Sequence, residues 1–362
     1  MLRVSEYLRK ALSGEIYRVF PGVIAIWNLT NRCNLYCKHC YSSANQDTSG
    51  ELSLREIKEV ALQLAEENVR FVILSGGEPL LREDIWDIAA VLRDLGMKTY
   101  LSTNGLLIDG ENVERIRRSF DYVGVSIDGT PEVHDRFRGR KHAFEASLNA
   151  VNLCTREGIR VGLRFTLALQ TIESLPFIFD LAEELGVSKV YISHLVYAGR
   201  GSRLRDVERR AYREAVEFIV EKAFSYHERG IPIDVVTGNN EADAVILYEK
   251  FRERYPKRAG NLLNILRVWG GNQAGVRLVN IDHRGNVKPD PFFLHSLGNL
   301  REKSFREIWR GNGLLTRLRE RPRRIKGRCS RCPYLEFCNG NSRARAYVAT
   351  GDYFGEDPAC YI

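Results

Sequence analysis

Three cysteines lie within eight residues near the start of the chain, in the order Cys33-Asn-Leu-Tyr-Cys37-Lys-His-Cys40. This C-x3-C-x2-C spacing places three thiolates on one loop, where they can hold three irons of a cubane cluster that normally takes four cysteine ligands. The fourth iron then stays open to a small molecule, as the open position of a catalytic zinc site does. A zinc site completed by His39 or by a distant residue is the alternative, although three thiolates without a second nearby pair fit zinc modules poorly.

Four more cysteines lie near the end of the chain. Cys329, Cys332 and Cys338 form a C-x2-C-x5-C pattern, and Cys360 follows after 21 residues. Four thiolates can fully ligate a second 4Fe-4S cluster and leave no open iron, or they can hold a structural zinc ion. The remaining Cys154 falls in an apolar helical pattern and is expected to be a buried core residue.

The elements that must position these residues alternate along the chain. An apolar run at 23–27 predicts a strand directly before the first cysteine loop, and a second strand at 71–74 ends in Ser75-Gly76-Gly77-Glu78-Pro79. Ser53 and Glu56 form a capping box, which predicts that a helix begins there and lies between these two strands. Further strands are predicted at 97–102, 121–127, 159–167 and 188–194, and further helices at 82–95, 142–156 and 173–184. Six such β-α units predict a curved or closed parallel sheet with ligands at the carboxyl ends of its strands.

Composition narrows the class of protein. The chain has 362 residues, of which 44% are hydrophobic and 28% charged, and its formal net charge is +8. No run of about 18 apolar residues is present, so we expect no membrane span and a cytoplasmic location. Arginine is concentrated late in the chain, where it predicts either a solvated basic face or a surface for a carboxylate-rich ligand, an acidic protein or nucleic acid. These arginines are Arg317, Arg319, Arg321, Arg323, Arg324, Arg328 and Arg331.

The first cysteine loop, placed after a first strand, resembles the signature of the radical S-adenosylmethionine (SAM) superfamily. The resemblance implies that Cys33, Cys37 and Cys40 bind a 4Fe-4S cluster whose open iron takes the amino and carboxylate groups of SAM. It also implies that reduction cleaves SAM to a 5′-deoxyadenosyl radical, which abstracts hydrogen from the substrate. His39 stands where the family usually has an aromatic residue, so the resemblance implies stacking beside the adenine.

Polar motifs at later strand ends extend the resemblance. Gly76-Gly77-Glu78-Pro79 resembles the GGEP turn of the family, in which backbone groups and the glutamate meet the methionine amino group. His134-Asp135-Arg136-Phe137-Arg138-Gly139 resembles the HD-x-x-RG turn that often follows. Arg164 is expected either to reach the ligand carboxylate or to form a structural ion pair. The positions that match the nucleoside and carboxylate contacts of the family are Thr103, Asn104, Ser126 and Asp128.

The cysteine pattern at the end of the chain resembles the SPASM or twitch extension of radical SAM enzymes, which holds auxiliary iron–sulfur clusters. We therefore predict an α/β protein, a partial (β/α)6 TIM-like barrel with a small C-terminal α+β auxiliary-cluster domain. The predicted organisation is an N-terminal helical segment at 1–22, the barrel at 23–230 and the auxiliary-cluster domain at 231–362.

The region between the barrel and the tail resembles radical enzymes of haem pathways. The motifs that carry this resemblance are Trp269-Gly270-Gly271-Asn272, the hairpin pattern at 281–290, the capped helix beginning at Ser304, the segment Asn341–Ala346, and Glu356–Tyr361. The resemblance implies removal of two acetate groups from 12,18-didecarboxysiroheme to give iron-coproporphyrin III, or alternatively attack on the propionates of the same substrate towards haem d1. A peptide-modifying radical SAM enzyme is the alternative from a different class; it would need a peptide-binding module, and we expect no separate N-terminal domain with room for one.

A tetrapyrrole that bears carboxylates on an apolar ring calls for arginine forks and aromatic faces. We expect them from the late arginines and from Trp269, Phe292, Phe293, Trp309 and Tyr361. His295 is the candidate axial iron ligand or proton donor, with a plain surface histidine as the alternative. The expected partners are this tetrapyrrole and an acidic electron donor such as a ferredoxin or flavodoxin, without nucleic acid. An iron–sulfur electron carrier or a basic nucleic-acid-binding protein would leave the Gly76–Pro79 turn unexplained.

Overall fold

The computed structural model describes residues 1–19 and 21–362; Phe20, which belongs to the predicted N-terminal segment, lies outside the described residues. The strands of the described chain are β1 (Val23–Asn28), β2 (Val69–Ser75), β3 (Lys98–Thr103), β4 (Tyr122–Ser126), β5 (Val161–Leu167), β6 (Lys189–His194), β7 (Asp234–Gly238), β8 (Leu278–Ile281), β9 (Asn286–Lys288) and β10 (Gly298–Asn299).

These strands form one sheet in the order β10-β9-β8-β1-β2-β3-β4-β5-β6-β7. From β8 through β7 every neighbouring pair is parallel, whereas β9 and β10 pair antiparallel. The six predicted strands are confirmed, each within two residues of its expected position, and the predicted hairpin at 281–290 is the β8–β9 turn. Because parallel neighbours share one direction, the loops after β1 to β6 meet at one edge of the sheet.

Helices connect the strands and cover one face of the sheet. They are α1 (Val4–Ser13), α2 (Leu54–Glu66), α3 (Ile85–Asp94), α4 (Val113–Ser119), α5 (Pro131–Arg138), α6 (Ala143–Arg156), α7 (Leu175–Glu184), α8 (Arg209–Glu228), α9 (Asp243–Arg254), α10 (Ala259–Trp269), α11 (Phe305–Gly311), α12 (Gly313–Arg319), α13 (Leu335–Cys338) and α14 (Arg343–Thr350). Both predicted capping boxes, at Ser53 and at Ser304, are formed. Cys154 on α6 is fully buried, as predicted.

Two strands of the C-terminal region join the main sheet. Strand β7 continues the parallel series beside β6, and β8 pairs parallel with β1. The sheet therefore runs past residue 230, where we placed the end of the barrel. The N-terminus lies at the β7 edge, because Leu2 forms a bridge with Thr237. Among the described residues, no helix combines the length and the apolar character needed to cross a membrane.

The period-2 alternation of the strands divides the sheet into two faces. In β1 the fully buried Ala25 faces the helices, while the partly buried Ile24 and Ile26 line a cavity on the other face. In β6 the partly buried Tyr191 and Ser193 line the same cavity. Since successive side chains of a strand point to opposite faces, the concave face of the sheet is left to bind a ligand.

Candidate active site

The loop that carries the first three cysteines is held in place by the turn after β2. The amide N–H of Gly77 donates to the carbonyl of Thr30 at 2.8 Å, and the amide of Glu78 donates to the carbonyl of Arg32 at 2.8 Å. A Cβ on Gly77 would lie 2.2 Å from the Arg32 oxygen, and one on Gly76 would lie 2.5 Å from the Thr30 oxygen. Both positions therefore require glycine because two backbones meet there, directly before Cys33.

Glu78 is a structural centre of this turn. Its carboxylate accepts hydrogen bonds from the Thr103 hydroxyl and the Asn104 amide, both at 2.8 Å, and from the Leu80 amide at 3.2 Å. It is fully buried and is not among the cavity-lining residues, and burial raises the pKa of its carboxyl to about 7. The carboxylate thus binds three donors of the protein, and its contact with a ligand amino group stays a prediction. Pro79 is buried beside it and also lies outside the cavity wall.

The thiols of Cys33, Cys37 and Cys40 all line the cavity. Burial raises the pKa of Cys33 to about 12 and also raises that of Cys37. N–H donors already point at the sulfurs: Arg138 Nη1 lies 3.7 Å from the Cys37 Sγ, and the Ala44 amide lies 3.4 Å from the Cys40 Sγ. Buried thiols ionise reluctantly alone but readily when iron replaces the proton. The donor set thus fits a thiolate-bound iron–sulfur cluster.

A buried charge network lies behind the cysteine loop. Asp128, which is fully buried, pairs with Arg138 Nη2 at 2.5 Å and lies 3.8 Å from His39 Nε2. Burial alone would raise the pKa of Asp128, but the Arg138 guanidinium, together with smaller contributions from other groups, outweighs it and holds the pKa below its ordinary value. The His134 Nδ1 accepts from the Asp128 amide at 3.1 Å. Asp128 thus orients Arg138 towards Cys37 and, unlike our expectation, does not line the cavity.

His39 lines the cavity, and its ring stacks on the Phe137 ring with 4.3 Å between the two centroids. Burial lowers its pKa to about 3, so the ring is neutral at physiological pH. A flat neutral imidazole with one face covered by Phe137 suits the stacking role that the sequence predicted.

The remaining predicted cofactor contacts meet at the carboxyl edge of β3, β4 and β5. Thr103, Asn104, Ser126 and Arg164 all line the cavity. The Asn104 Nδ2 donates to Asn34 in the cysteine loop at 2.7 Å, so the β3 turn is tied to that loop. Arg164 forms no ion pair with any residue that the structure describes; its guanidinium lies 5.0 Å from the centroid of the Tyr191 ring. Of the two roles expected for Arg164, the geometry favours the ligand carboxylate.

The cavity has a volume of about 460 Å³ and runs along the concave face of the sheet. Aromatic and aliphatic side chains form much of its wall. Two acidic residues, Glu241 and Asp290, lie on its C-terminal side, and burial raises the pKa of Asp290 to about 7. A cavity of this size with few polar groups is typical of a site for an organic ligand.

The late arginines do not line this cavity, which corrects one expectation. Arg323 is fully buried and donates to backbone carbonyls of Leu318 and Asn272, at 2.8 and 3.0 Å. Arg319 stacks on Trp309, and Arg317 on Phe354. These three arginines stabilise the C-terminal fold, because backbone carbonyls and aromatic rings contact their guanidinium groups. The arginines that do line the cavity are Arg3, Arg18, Arg138, Arg164, Arg200 and Arg277.

The expected aromatic set divides in the same way. Trp269 and Phe292 line the cavity, whereas Phe293 stacks on Tyr353 and Tyr361 donates to Asp243 at 2.6 Å. Trp309 packs against Phe305. His295 is exposed, its Nδ1 lies 3.1 Å from the Tyr353 hydroxyl, and it is not among the cavity-lining residues. The structure thus gives His295 no place beside a ligand in this cavity.

The four late cysteines come together in the C-terminal region. Cys360 interacts electrostatically with Cys329, Cys332 and Cys338, and all eight cysteines of the chain are free thiols. The Cys360 segment is anchored by a fully buried ion pair, in which Arg345 Nη2 and Asp357 Oδ2 lie 2.8 Å apart. Arg345 also donates to the carbonyl of Leu195 at 2.9 Å, which ties the tail to the loop after β6.

A buried cation without a full set of partners lies beside these thiols. Arg343 is fully buried; its Nη1 donates to the carbonyls of Tyr353 and Gly355, at 3.0 and 2.7 Å, but its Nη2 has no partner among the described residues. Arg343 interacts electrostatically with Cys329 and Cys338. An unpaired buried guanidinium is costly without an anion, so this site fits a cluster of negative charge.

Among the described residues, no three His, Cys, Asp or Glu side chains converge as they would around a single metal ion. A cubane takes one thiolate at each separate iron, so its ligands need not converge on one point.

Sequence reasoning missed several cavity residues. Arg138 was visible in the HD-x-x-RG pattern, yet its contact with Cys37 requires the fold. Tyr191 is one of the alternating residues of β6, and nothing in the sequence distinguishes it from the others. Glu241 follows β7, a strand that the sequence analysis did not predict. Arg277 lies directly before β8 and belongs to no motif. It reaches the cavity only because β8 pairs with β1.

Two family profiles match this chain. A family profile described as the radical SAM superfamily matches residues 27–182, and one described as an iron–sulfur cluster-binding domain (SPASM) matches residues 273–333. The second match includes Cys329 and Cys332 and ends before Cys338.

Two curated relatives are similar over nearly their whole length. Pre-heme d1 synthase from Dinoroseobacter shibae is 43% identical and covers 100% of this chain and 92% of its own. Fe-coproporphyrin III synthase from Methanosarcina barkeri is 41% identical and covers 94% of this chain and 88% of its own. Among solved structures, SuiB from Streptococcus suis bound to S-adenosylmethionine superposes with a TM-score of 0.74 at 17% identity, covering 94% of this chain and 77% of that one. This structural likeness concerns the fold.

Proposed function

The chain belongs to the radical SAM superfamily, and from that premise we propose that it modifies the side chains of a carboxylate-rich iron tetrapyrrole. The leading proposal is removal of two acetate groups from 12,18-didecarboxysiroheme to give iron-coproporphyrin III. The observation that carries it is the near full-length similarity to Fe-coproporphyrin III synthase, combined with an aromatic-lined cavity that contains unpaired arginines.

We propose Cys33, Cys37 and Cys40 as ligands of the SAM-binding 4Fe-4S cluster and Cys329, Cys332, Cys338 and Cys360 as ligands of the auxiliary one. When bound, the first cluster supplies the electron that cleaves SAM and so starts hydrogen abstraction from the substrate.

The residues of this chain hold that site together. Arg138 donates to the Cys37 sulfur, and hydrogen bonds to cluster sulfurs are one means by which a protein tunes the potential. Arg200 fixes the cysteine loop through the carbonyls of Cys37 and Ala44, both at 2.8 Å. We propose that Arg164 binds the SAM carboxylate and that His39 covers the adenine, while the aliphatic wall excludes water.

The propionate-directed reaction towards haem d1 is the second candidate, and one observation favours it: identity to pre-heme d1 synthase is 43%, against 41% for Fe-coproporphyrin III synthase. Peptide modification is a third candidate, since Mycofactocin maturase MftC from Mycobacterium tuberculosis is 30% identical.

The deciding experiment is anaerobic incubation of the reconstituted protein with reductant, SAM and didecarboxysiroheme, followed by mass spectrometry and absorption spectroscopy. Loss of two acetates with a shift to a porphyrin spectrum supports the leading proposal. Loss or oxidation of propionates instead supports the reaction towards haem d1. Formation of 5′-deoxyadenosine without any change in the tetrapyrrole contradicts both substrates. Cys37→Ala is the control that should abolish SAM cleavage.

We further propose that an acidic electron donor, such as a ferredoxin or flavodoxin, docks near the auxiliary cysteines. Arg324, Arg328 and Arg331 are exposed and lie close in the chain to the partly exposed Cys329 and Cys332. Such a complex should form more slowly as ionic strength rises. Free thiols throughout the chain are consistent with our proposal of a reducing, cytoplasmic location.

A further inference from the structure

The end of the cavity farthest from the cysteine loop contains a cation without an anion. Arg277 is partly buried and lines the cavity, and its guanidinium has no hydrogen bond or ion pair with any described residue. Burial lowers its pKa. Removing a guanidinium from water without a partner is unfavourable, so an anion at this position would be stabilised.

This end of the cavity is far from the proposed cluster. The carbonyl of Arg277 accepts from the amide of Ile24 at the start of β1, whereas the cysteine loop follows the end of β1. The six residues of β1 separate the two ends by about 17 Å. A ligand that touches both ends is therefore long and apolar in its middle, where Ile26 and Ile73 form the wall.

A second unpaired donor lies in the same wall. Trp269 is 3% exposed, and its Nε1–H has no acceptor among the residues that the structure describes. The Trp269 ring packs against Tyr7 at 6.2 Å between centroids, and Tyr7 and Arg277 interact electrostatically. The indole and the guanidinium therefore belong to one group of side chains.

No described carboxylate forms an ion pair with Arg277, and Arg321 interacts with it electrostatically as a second positive charge. Arg3 is already paired with Glu6 at 2.9 Å, and Lys10 also contacts Glu6. Arg18 is exposed at the rim. Glu241 accepts from the Asn272 Nδ2 at 3.4 Å and interacts electrostatically with the N-terminal amine. Asp290 accepts from the Phe292 amide at 2.8 Å.

We propose that Arg277 and Trp269 form an anion subsite that binds a peripheral carboxylate of the substrate and so fixes which edge of the ring faces the cysteine loop. This inference rests on the proposed function, because it assumes a substrate with carboxylates on an apolar ring. A fork of guanidinium donors matches a carboxylate, and the indole N–H adds a neutral donor.

The test is an anaerobic absorption titration of the reconstituted protein with didecarboxysiroheme and with its carboxyl methyl esters. Arg277→Gln should weaken binding of the free acid by about 10- to 100-fold. Arg277→Lys, which keeps the charge without the fork, should lose less. The matched control is Arg210→Gln on α8, because the Arg210 side chain is 90% exposed and this substitution should leave binding unchanged.

The esters complete a double-mutant cycle. If Arg277 binds a carboxylate, esterification weakens binding to the wild type and adds little further loss in Arg277→Gln. Equal affinity of Arg277→Gln and Arg210→Gln for the free acid, with unchanged iron content, would overturn the subsite while leaving the proposed function intact. Failure of the wild type to bind the tetrapyrrole while it still cleaves SAM would instead overturn the proposed function and, with it, this subsite.

Discussion

Gly77→Ala should remove the SAM-binding cluster while leaving the auxiliary cluster in place. The added Cβ would lie 2.2 Å from the Arg32 oxygen and 2.6 Å from the Arg32 carbonyl carbon. Ordinary contact begins near 3.4 Å, so the two backbones must separate by about 1 Å. Cys33 is the next residue and must move with them.

The expected cost follows from two contributions. Separation by about 1 Å breaks the hydrogen bonds that Gly77 and Glu78 donate to Thr30 and Arg32, each 2.8 Å long, at about 1 kcal/mol per bond. Overpacking adds about 1–3 kcal/mol. A loss of about 3–5 kcal/mol, concentrated at the cysteine loop, is enough to displace one thiolate ligand without unfolding the sheet.

The assay is iron and sulfide content after anaerobic reconstitution, with electron paramagnetic resonance of the reduced protein and SAM cleavage measured as 5′-deoxyadenosine. We expect one cluster per chain instead of two, and no SAM cleavage. Gly110→Ala is the matched control, because a Cβ on Gly110 meets nothing within 4 Å. A Gly77→Ala protein with both clusters and wild-type SAM cleavage would refute the argument that backbone contact requires this glycine.

Three further outcomes are expected. Asp290→Asn should change the pH dependence of stability, because burial raises the pKa of Asp290 from 3.8 to about 7. The wild type therefore loses up to about 4 kcal/mol of its free energy of unfolding as pH rises from about 4 to 7. Its melting temperature should fall below that of the variant across this range, and parallel curves of melting temperature against pH would contradict the assignment. Asp357→Asn leaves Arg345 buried and unpaired and should cost about 3–5 kcal/mol, seen in thermal unfolding, whereas exposed Glu208→Gln should be neutral. Arg343→Met should lower the reduction potential of the auxiliary cluster, because it removes the unpaired buried donor beside Cys329; an unchanged potential in a redox titration would exclude that role.

The six strands of the barrel could be predicted because each is a short apolar run that ends at a polar or glycine-rich turn. The cysteine spacing likewise predicted two groups of thiols, and the fold brings each group together. Strand β7, Asp234–Gly238, was missed because it follows a charged helix. Its strand character comes from pairing with β6, which local sequence does not encode.

The side chains of the cavity were harder to predict than its backbone. The motif predicts that Glu78 contacts a ligand, and the fold shows in addition that three protein donors bind its carboxylate. The late arginines formed an obvious cluster in the sequence, yet carbonyls and rings of the C-terminal region engage several of them. Arg277 was overlooked because its position depends on two strands that are more than 250 residues apart in the chain.

That pairing has a consequence for how the protein is made. During synthesis, β1 emerges from the ribosome long before β8, so one edge of the nascent barrel stays open until residues 278–281 are available. An unpaired parallel edge is slow to close and prone to associate with other chains. Iron–sulfur assembly on the first cysteine loop is thus expected to follow release of the finished polypeptide, with chaperones shielding the open edge until then.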